Sequence, residues 1–99
     1  MRVISRGTLA EFWSRPARRD AETPLRAWFK EAESADWTTP AEVKTRYPSA
    51  SVLKDGRVVF NIGGNKYRLV VKLNYAIGIV FIRFVGTHAE YDRIDAEEV

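Results

Sequence analysis

Lys66, Arg68 and Lys72 recur at every second or fourth position of the run Lys66–Asn74. In a β-strand that spacing puts three cations on one face of a sheet. Arg83 interrupts the apolar runs Ile79–Ile82 and Phe84-Val85, and an unpaired guanidinium would be costly to bury there. Either its face is open to an anion, or Asp92 or Glu90 pairs with it. His88 and Tyr91 follow, three residues apart, and on a helix they point to roughly the same side. Histidine is the one side chain here whose ordinary pKa lies near neutrality, which makes it the natural proton carrier. If Arg68 and Arg83 share a face, they form a two-arginine clamp suited to phosphate. Together these groups could cleave RNA without a metal. A base takes the proton from a 2′-hydroxyl, which attacks the adjacent phosphate, and an acid protonates the departing 5′-oxygen. Cations stabilise the charge that builds on phosphorus, and the 2′-hydroxyl requirement makes RNA the substrate. The plainer alternatives are a solvated sheet face guarded by lysines and a histidine that is only a polar residue in a first helical turn.

The elements that must position these residues are legible in outline. Two strand-like runs flank Gly63-Gly64-Asn65, a loop that only residues tolerant of positive φ could form. Ser51–Lys54 and Arg57–Asn61 flank Asp55-Gly56, a strong two-residue hairpin signal. Tyr67, Leu69, Val71 and Leu73 have the parity opposite to the cations, so one face of that strand belongs to the core. Ile79–Gly86 reads as a central strand covered on both faces. Ahead of the strands, Thr8-Leu9-Ala10-Glu11 and Thr39-Pro40-Ala41-Glu42 have the spacing of capping boxes, as does Thr87-His88-Ala89-Glu90 after them. They predict helices from Leu9 to Arg15, from Pro40 to about Tyr47, and from His88 through Ala96. Between the first two, Asp20 or Thr23 caps a helix whose Leu25, Trp28, Phe29 and Ala32 form one apolar stripe. With a short strand at Met1–Ser5, the order is β-α-α-α-β-β-β-β-α. That is an α+β domain: a twisted antiparallel sheet, N-terminal helices packed on one face, and a short C-terminal helix.

Ninety-nine residues, 45% of them hydrophobic and 29% charged, are expected to form one globular domain spanning 1–99. No run approaches the ~18 apolar residues of a membrane span, and no secretory leader is visible. Cysteine is absent and histidine occurs once, so neither disulfides nor a protein-only zinc site is expected, and a reducing cytoplasm fits. The net charge of +3 is unevenly spread. Residues 52–86 carry a net +5 and residues 87–99 a net −4, so the positive field belongs to the sheet, as polyanion binding would require. No phosphate-binding glycine loop is present, and no helix has a basic face dense enough to read a major groove.

Phe60-Asn61-Ile62-Gly63-Gly64-Asn65-Lys66-Tyr67-Arg68-Leu69, with the stretch Phe81-Ile82-Arg83-Phe84-Val85-Gly86-Thr87-His88-Ala89-Glu90-Tyr91-Asp92, resembles the HigB toxins. These are small RelE-like mRNA interferases of bacterial type II toxin–antitoxin systems. The resemblance extends to the opening Met1–Ser5 and to Ala35-Asp36-Trp37, and the two C-terminal motifs are its most specific part. It implies a RelE-like fold and ribosome-dependent, metal-independent cleavage of translated mRNA, with growth arrest. It also implies neutralisation by a HigA-type helix-turn-helix antitoxin, no cofactor, and contact with operator DNA only through the antitoxin complex. By the same resemblance Arg68, Arg83, His88 and Tyr91 form the catalytic set, while Asn61, Asn65, Lys66 and Lys72 bind RNA. The alternative is a non-catalytic RNA- or ribosome-binding module that blocks translation by occupancy.

Overall fold

A computed structural model describes all residues from Met1 to Val99. The chain runs β1 (Arg2–Ile4), α1 (Arg6–Trp13), a 3-10 segment (Pro16–Ala21), α2 (Glu22–Ser34), α3 (Pro40–Arg46), β2 (Ser51–Val52), β3 (Arg57–Ile62), β4 (Tyr67–Asn74), β5 (Ile79–Thr87) and α4 (His88–Tyr91). The strands form one sheet in the order β1-β5-β4-β3-β2. The α+β arrangement is the expected one, with one difference in the sheet. β1 lies parallel to β5, with Arg2 opposite Ile79, so the sheet is mixed, and its other pairings are antiparallel. A three-residue strand with two apolar side chains carries no pattern that could reveal its direction.

The turns follow from their residues. Asp55 and Gly56 both have positive φ, 58° and 76°, as a two-residue hairpin between β2 and β3 requires. Gly63, Gly64 and Asn65 have φ of 65°, 62° and 84° in succession, and they bring Ile62 opposite Tyr67. Lys66 therefore falls in the turn rather than on the strand.

Tyr67, Leu69, Val71 and Leu73 face the helices and are buried together with Leu9, Phe12, Leu25, Trp28 and Val43. Phe60 anchors this layer. The Trp28 ring lies 5.4 Å from it and the Tyr47 ring 5.0 Å, both edge-on. Each large apolar side chain removed from water contributes about 1.5–3 kcal/mol, so this inner layer dominates the stability of the fold.

The helix starts depart from expectation at two of four places. α1 begins at Arg6 behind Ser5, which leaves Thr8 inside the helix with its hydroxyl against that of Ser5. α2 begins at Glu22 directly out of the 3-10 segment, without a side-chain cap, because the Asp20 carboxylate is used by Tyr67 and Lys66 instead. Thr39 caps α3, and Thr87 caps α4 with a complete capping box.

α4 ends at Tyr91, well short of Ala96. Arg93 N–H and Ile94 N–H donate to the carbonyls of Glu90 and Tyr91 in tight three-residue steps. The chain then folds back, and Ile94, Ala96 and Val99 pack against Val59, Val70 and Phe84 on the sheet's outer face. No helix is long and apolar enough to cross a membrane.

One irregularity shapes the outer face. Val70 is opposite Phe84, but Val71 is opposite Ile82, so Arg83 is an extra residue in β5 without a partner across the ladder. Such a bulge bends the strand and re-aims a side chain, while the pairing resumes on either side.

Candidate functional site

The sheet registers place the outer-face residues in rows. Asn61, Arg68 and Gly86 form one, Val59, Val70 and Phe84 the next, and Arg57, Lys72 and Phe81 a third. The folded-back segment covers the middle, apolar row. The cationic face is thus divided into two ends.

At the α4 end, the capping box sets the geometry. Glu90 N–H donates to Thr87 Oγ1 at 3.1 Å, and Thr87 N–H to Glu90 Oε1 at 2.8 Å. The Glu90 carboxyl is held below its ordinary range chiefly by that backbone N–H of Thr87, with the Arg18 and Arg15 cations adding to the effect. Arg18 lies 3.6 Å away. Helix α4 therefore starts where β5 ends and places its first residue over Arg68. The Arg68 guanidinium Nη2 is 2.8 Å from His88 Nε2 and its carbon lies 5.2 Å from the centre of the Tyr91 ring. His88 Nδ1 is 3.5 Å from Asp92 Oδ2. Gly86 leaves the room this requires: a Cβ there would stand 2.6 Å from the Phe84 ring and 3.1 Å from Glu90 Cβ.

An arginine N–H can only donate, so His88 Nε2 must accept from Arg68. The imidazole is then neutral, with its proton on Nδ1, towards Asp92. This end holds a proton acceptor and a phenol within one turn of α4 and, from β4, a guanidinium able to bind an oxyanion.

Beside it, the 3-10 segment contributes Asp20, which accepts from Lys66 Nζ and from the Tyr67 hydroxyl. Those hydrogen bonds, Lys66 first and Tyr67 second, lower the Asp20 pKa. In return Asp20 raises that of Lys66. Burial raises that of Tyr67, and Asp20 adds to the rise. Lys66 is at the edge of the site but paired. Asn61 Nδ2 donates to the Ser49 carbonyl at 3.2 Å, and Asn65 lies in the hairpin turn.

At the other end, Arg83 pairs with neither Asp92 nor Glu90. Its Nε donates to the main-chain oxygen of Val99 at 3.1 Å. Arg57 donates to that same oxygen from Nε at 3.3 Å and Nη2 at 3.0 Å. Arg68 and Arg83 thus do not meet on a common ligand. Arg68 turns to α4, and the bulge sends Arg83 to the folded-back segment. Lys72 is exposed in the same row as Arg57.

The structure therefore brings Arg68, His88 and Tyr91 together and sets Arg83 and Lys72 apart from them. Arg57, only 8% exposed, is a residue of this end that the spacing of Lys66, Arg68 and Lys72 does not single out. The four-residue hairpin loop fixes its place opposite Lys72, so register counting could have found it. Asp20 carried no such signal, because its partners lie 46 and 47 residues away.

The family model for the HigB toxin, described as the RelE-like toxic component of a toxin–antitoxin system, matches residues 21–94. The mRNA interferase HigB of Escherichia coli O6:H1 is 28% identical over 96 residues, which is 95% of this chain and 91% of that protein. The mRNA interferase toxin HigB of Escherichia coli K12 is 40% identical over 55 residues, 54% of this chain and 53% of that protein. The same identity and coverage hold for the mRNA interferase HigB of Shigella flexneri.

Proposed function

The chain belongs to the HigB toxin family, the RelE-like toxic component of a toxin–antitoxin system, and from that premise we propose that it is an mRNA interferase. It cleaves translated mRNA on the ribosome, in the cytoplasm, and so arrests translation and growth. The relatives named as mRNA interferases support the activity. The observation that carries the site is the convergence of His88 and Tyr91 on Arg68 at the start of α4.

In this reading the scissile phosphate is bound by Arg68, which leaves His88 Nε2 to do so. His88 then takes the proton of the 2′-hydroxyl. Its oxygen bonds to phosphorus, the bond from phosphorus to the 5′-oxygen breaks, and Tyr91 gives that oxygen its proton. The products are a 2′,3′-cyclic phosphate and a 5′-hydroxyl, and no step calls for a metal. Arg83, Lys72 and Lys66 position the RNA backbone, with Asn61 and Asn65 at the hairpin edge. Its partner is a HigA-type helix-turn-helix antitoxin, and operator DNA is met only through their complex.

A second reading has one observation in its favour. Arg68 occupies the lone pair that His88 would use as a base, and such a protein could block the ribosome without cutting. Mapping 5′ ends of translated transcripts after induced expression separates the two. New ends inside reading frames, absent with Arg68→Ala, support the nuclease. Growth arrest without such ends supports occupancy.

A further inference from the structure

At the end of the outer face away from α4, a cavity of about 610 Å³ opens between the sheet and the β2–β3 turn. That volume falls within the usual range for small-ligand sites. Its lining includes Lys72 and Arg83, the rings of Phe81 and Tyr75, and the polar side chains of Asn74 and Asp55. Phe81 and Lys72 are direct neighbours across the β4–β5 ladder. Arg83 reaches the cavity because the bulge frees it from the alternation of β5, and only its Nε is given to Val99. The Tyr75 hydroxyl is buried and has no partner. Asn74 Oδ1 accepts from Ile77 N–H at 3.3 Å, which leaves the amide hydrogens as donors, while Asp55 offers acceptors.

Cations beside an aromatic ring, with donors and acceptors at the far wall, are what a nucleotide requires: phosphate on the cations, base on the ring, polar edge read by short side chains. We propose that this cavity is a nucleotide subsite for the RNA strand that is cut at Arg68, an inference that rests on the nuclease reading. Lys72 and Arg68 lie four residues apart on the same face of β4, about 13 Å at strand rise, so one strand can reach both. The base stacks on Phe81, and the phosphate lies against Lys72 and Arg83. The subsite makes cleavage depend on the identity of one nucleotide at a fixed distance from the cut.

Val52 and Leu53 also line the cavity, and Val52 is 44% exposed. A peptide of the antitoxin is therefore the competing occupant. The test uses the full chain and a short oligoribonucleotide made uncuttable by 2′-O-methylation at every position. Phe81→Ala is expected to weaken its binding on the order of tenfold, the effect of one lost stacking contact. Lys72→Gln, at an exposed position that does not endanger folding, is expected to weaken it several-fold and to flatten the salt dependence. In mapped cleavage sites, Phe81→Ala should still cut, but with the base preference lost at one position. Unaltered binding and unaltered preference in both variants would overturn the subsite while leaving the nuclease standing. Binding lost in the variants, from a wild type that never cuts, would uphold the subsite and sink the nuclease. Weaker antitoxin binding with unaltered RNA binding would assign the cavity to the peptide.

Discussion

Arg68 Nη2 sits 2.8 Å from His88 Nε2, so the cation that would bind a phosphate also covers the nitrogen that would accept a proton. In the proposed mechanism the two roles are coupled. An anion that draws the guanidinium to itself uncovers the imidazole at the same moment, and without one the base is shielded. In the proposed mechanism this arrangement ties proton transfer to occupancy of the phosphate site.

Substituting Arg68 by Lys tests that coupling. Lysine keeps the charge but has neither the planar fork nor the flat face that stacks on Tyr91. Cleavage is expected to fall by about 10²–10³, the usual effect of removing one donor to a developing oxyanion. The melting temperature should stay close to wild type, because the side chain is only half-buried and its Nε has no partner to lose. Wild-type cleavage with lysine would show that only charge is required there.

His88→Gln keeps a hydrogen-bonding side chain in the first turn of α4 but cannot carry a proton. Loss of general acid–base help costs typically 10²–10⁴ in rate, and a loss of that size is expected in 5′-end mapping, with unaltered binding of an uncuttable RNA. Equal losses in binding and cutting would assign His88 to substrate positioning.

Gly86→Ala inserts a methyl group where the Phe84 ring is 2.6 Å and Glu90 Cβ 3.1 Å distant. Overpacking of this kind costs about 1–3 kcal/mol, readable in urea unfolding. The relief route is a displacement of α4, which carries His88 and Tyr91. Activity should therefore fall further than the stability loss explains. Proportionate losses would show that Phe84 yields instead.

Asp20→Asn removes the carboxylate that Lys66 and Tyr67 share. Its pKa is lowered in the folded chain, first by the hydrogen bond from Lys66 and then by that from Tyr67. A depressed carboxylate stabilises the fold above its ordinary value of 3.8, and the effect is lost as the pH falls through the lower folded value. The variant should melt below wild type at neutral pH, and the gap should close as the pH falls below 3.8. Thermal melts across that range read it directly. A gap that persists in acid would mean that the carboxylate's charge contributes nothing.

Much of this was readable from residue order because local rules governed it. The Thr87 capping box, the Asp55-Gly56 turn and the stripe of Leu25, Trp28, Phe29 and Ala32 each depend on neighbours within four residues, and each forms as expected, with Phe29 half-buried at the stripe's edge. The misreadings share a different cause. Residue order leaves the face of Arg83 open, because a bulge that suspends the alternation of β5 has no local signature. α4 was extended to Ala96 because its polar sequence permits a helix, whereas the burial of Ile94, Ala96 and Val99 on a distant strand decided otherwise. Asp20 is one of two candidate caps for α2, with Thr23, and two partners from the far side of the chain claim it instead. Where long-range burial or pairing competes with a local preference, the local preference gives way.

β5 holds one residue more than its ladder uses. If Arg83 were deleted, Ile82 would still meet Val71 and Phe84 would still meet Val70, each on its present face. Away from a bulge, losing a residue turns the rest of a strand over. Here the spare position absorbs the loss. In terms of descent, this strand is one codon away from an ordinary ladder, and that codon could be lost without losing the fold. What would disappear is the guanidinium beside the cavity.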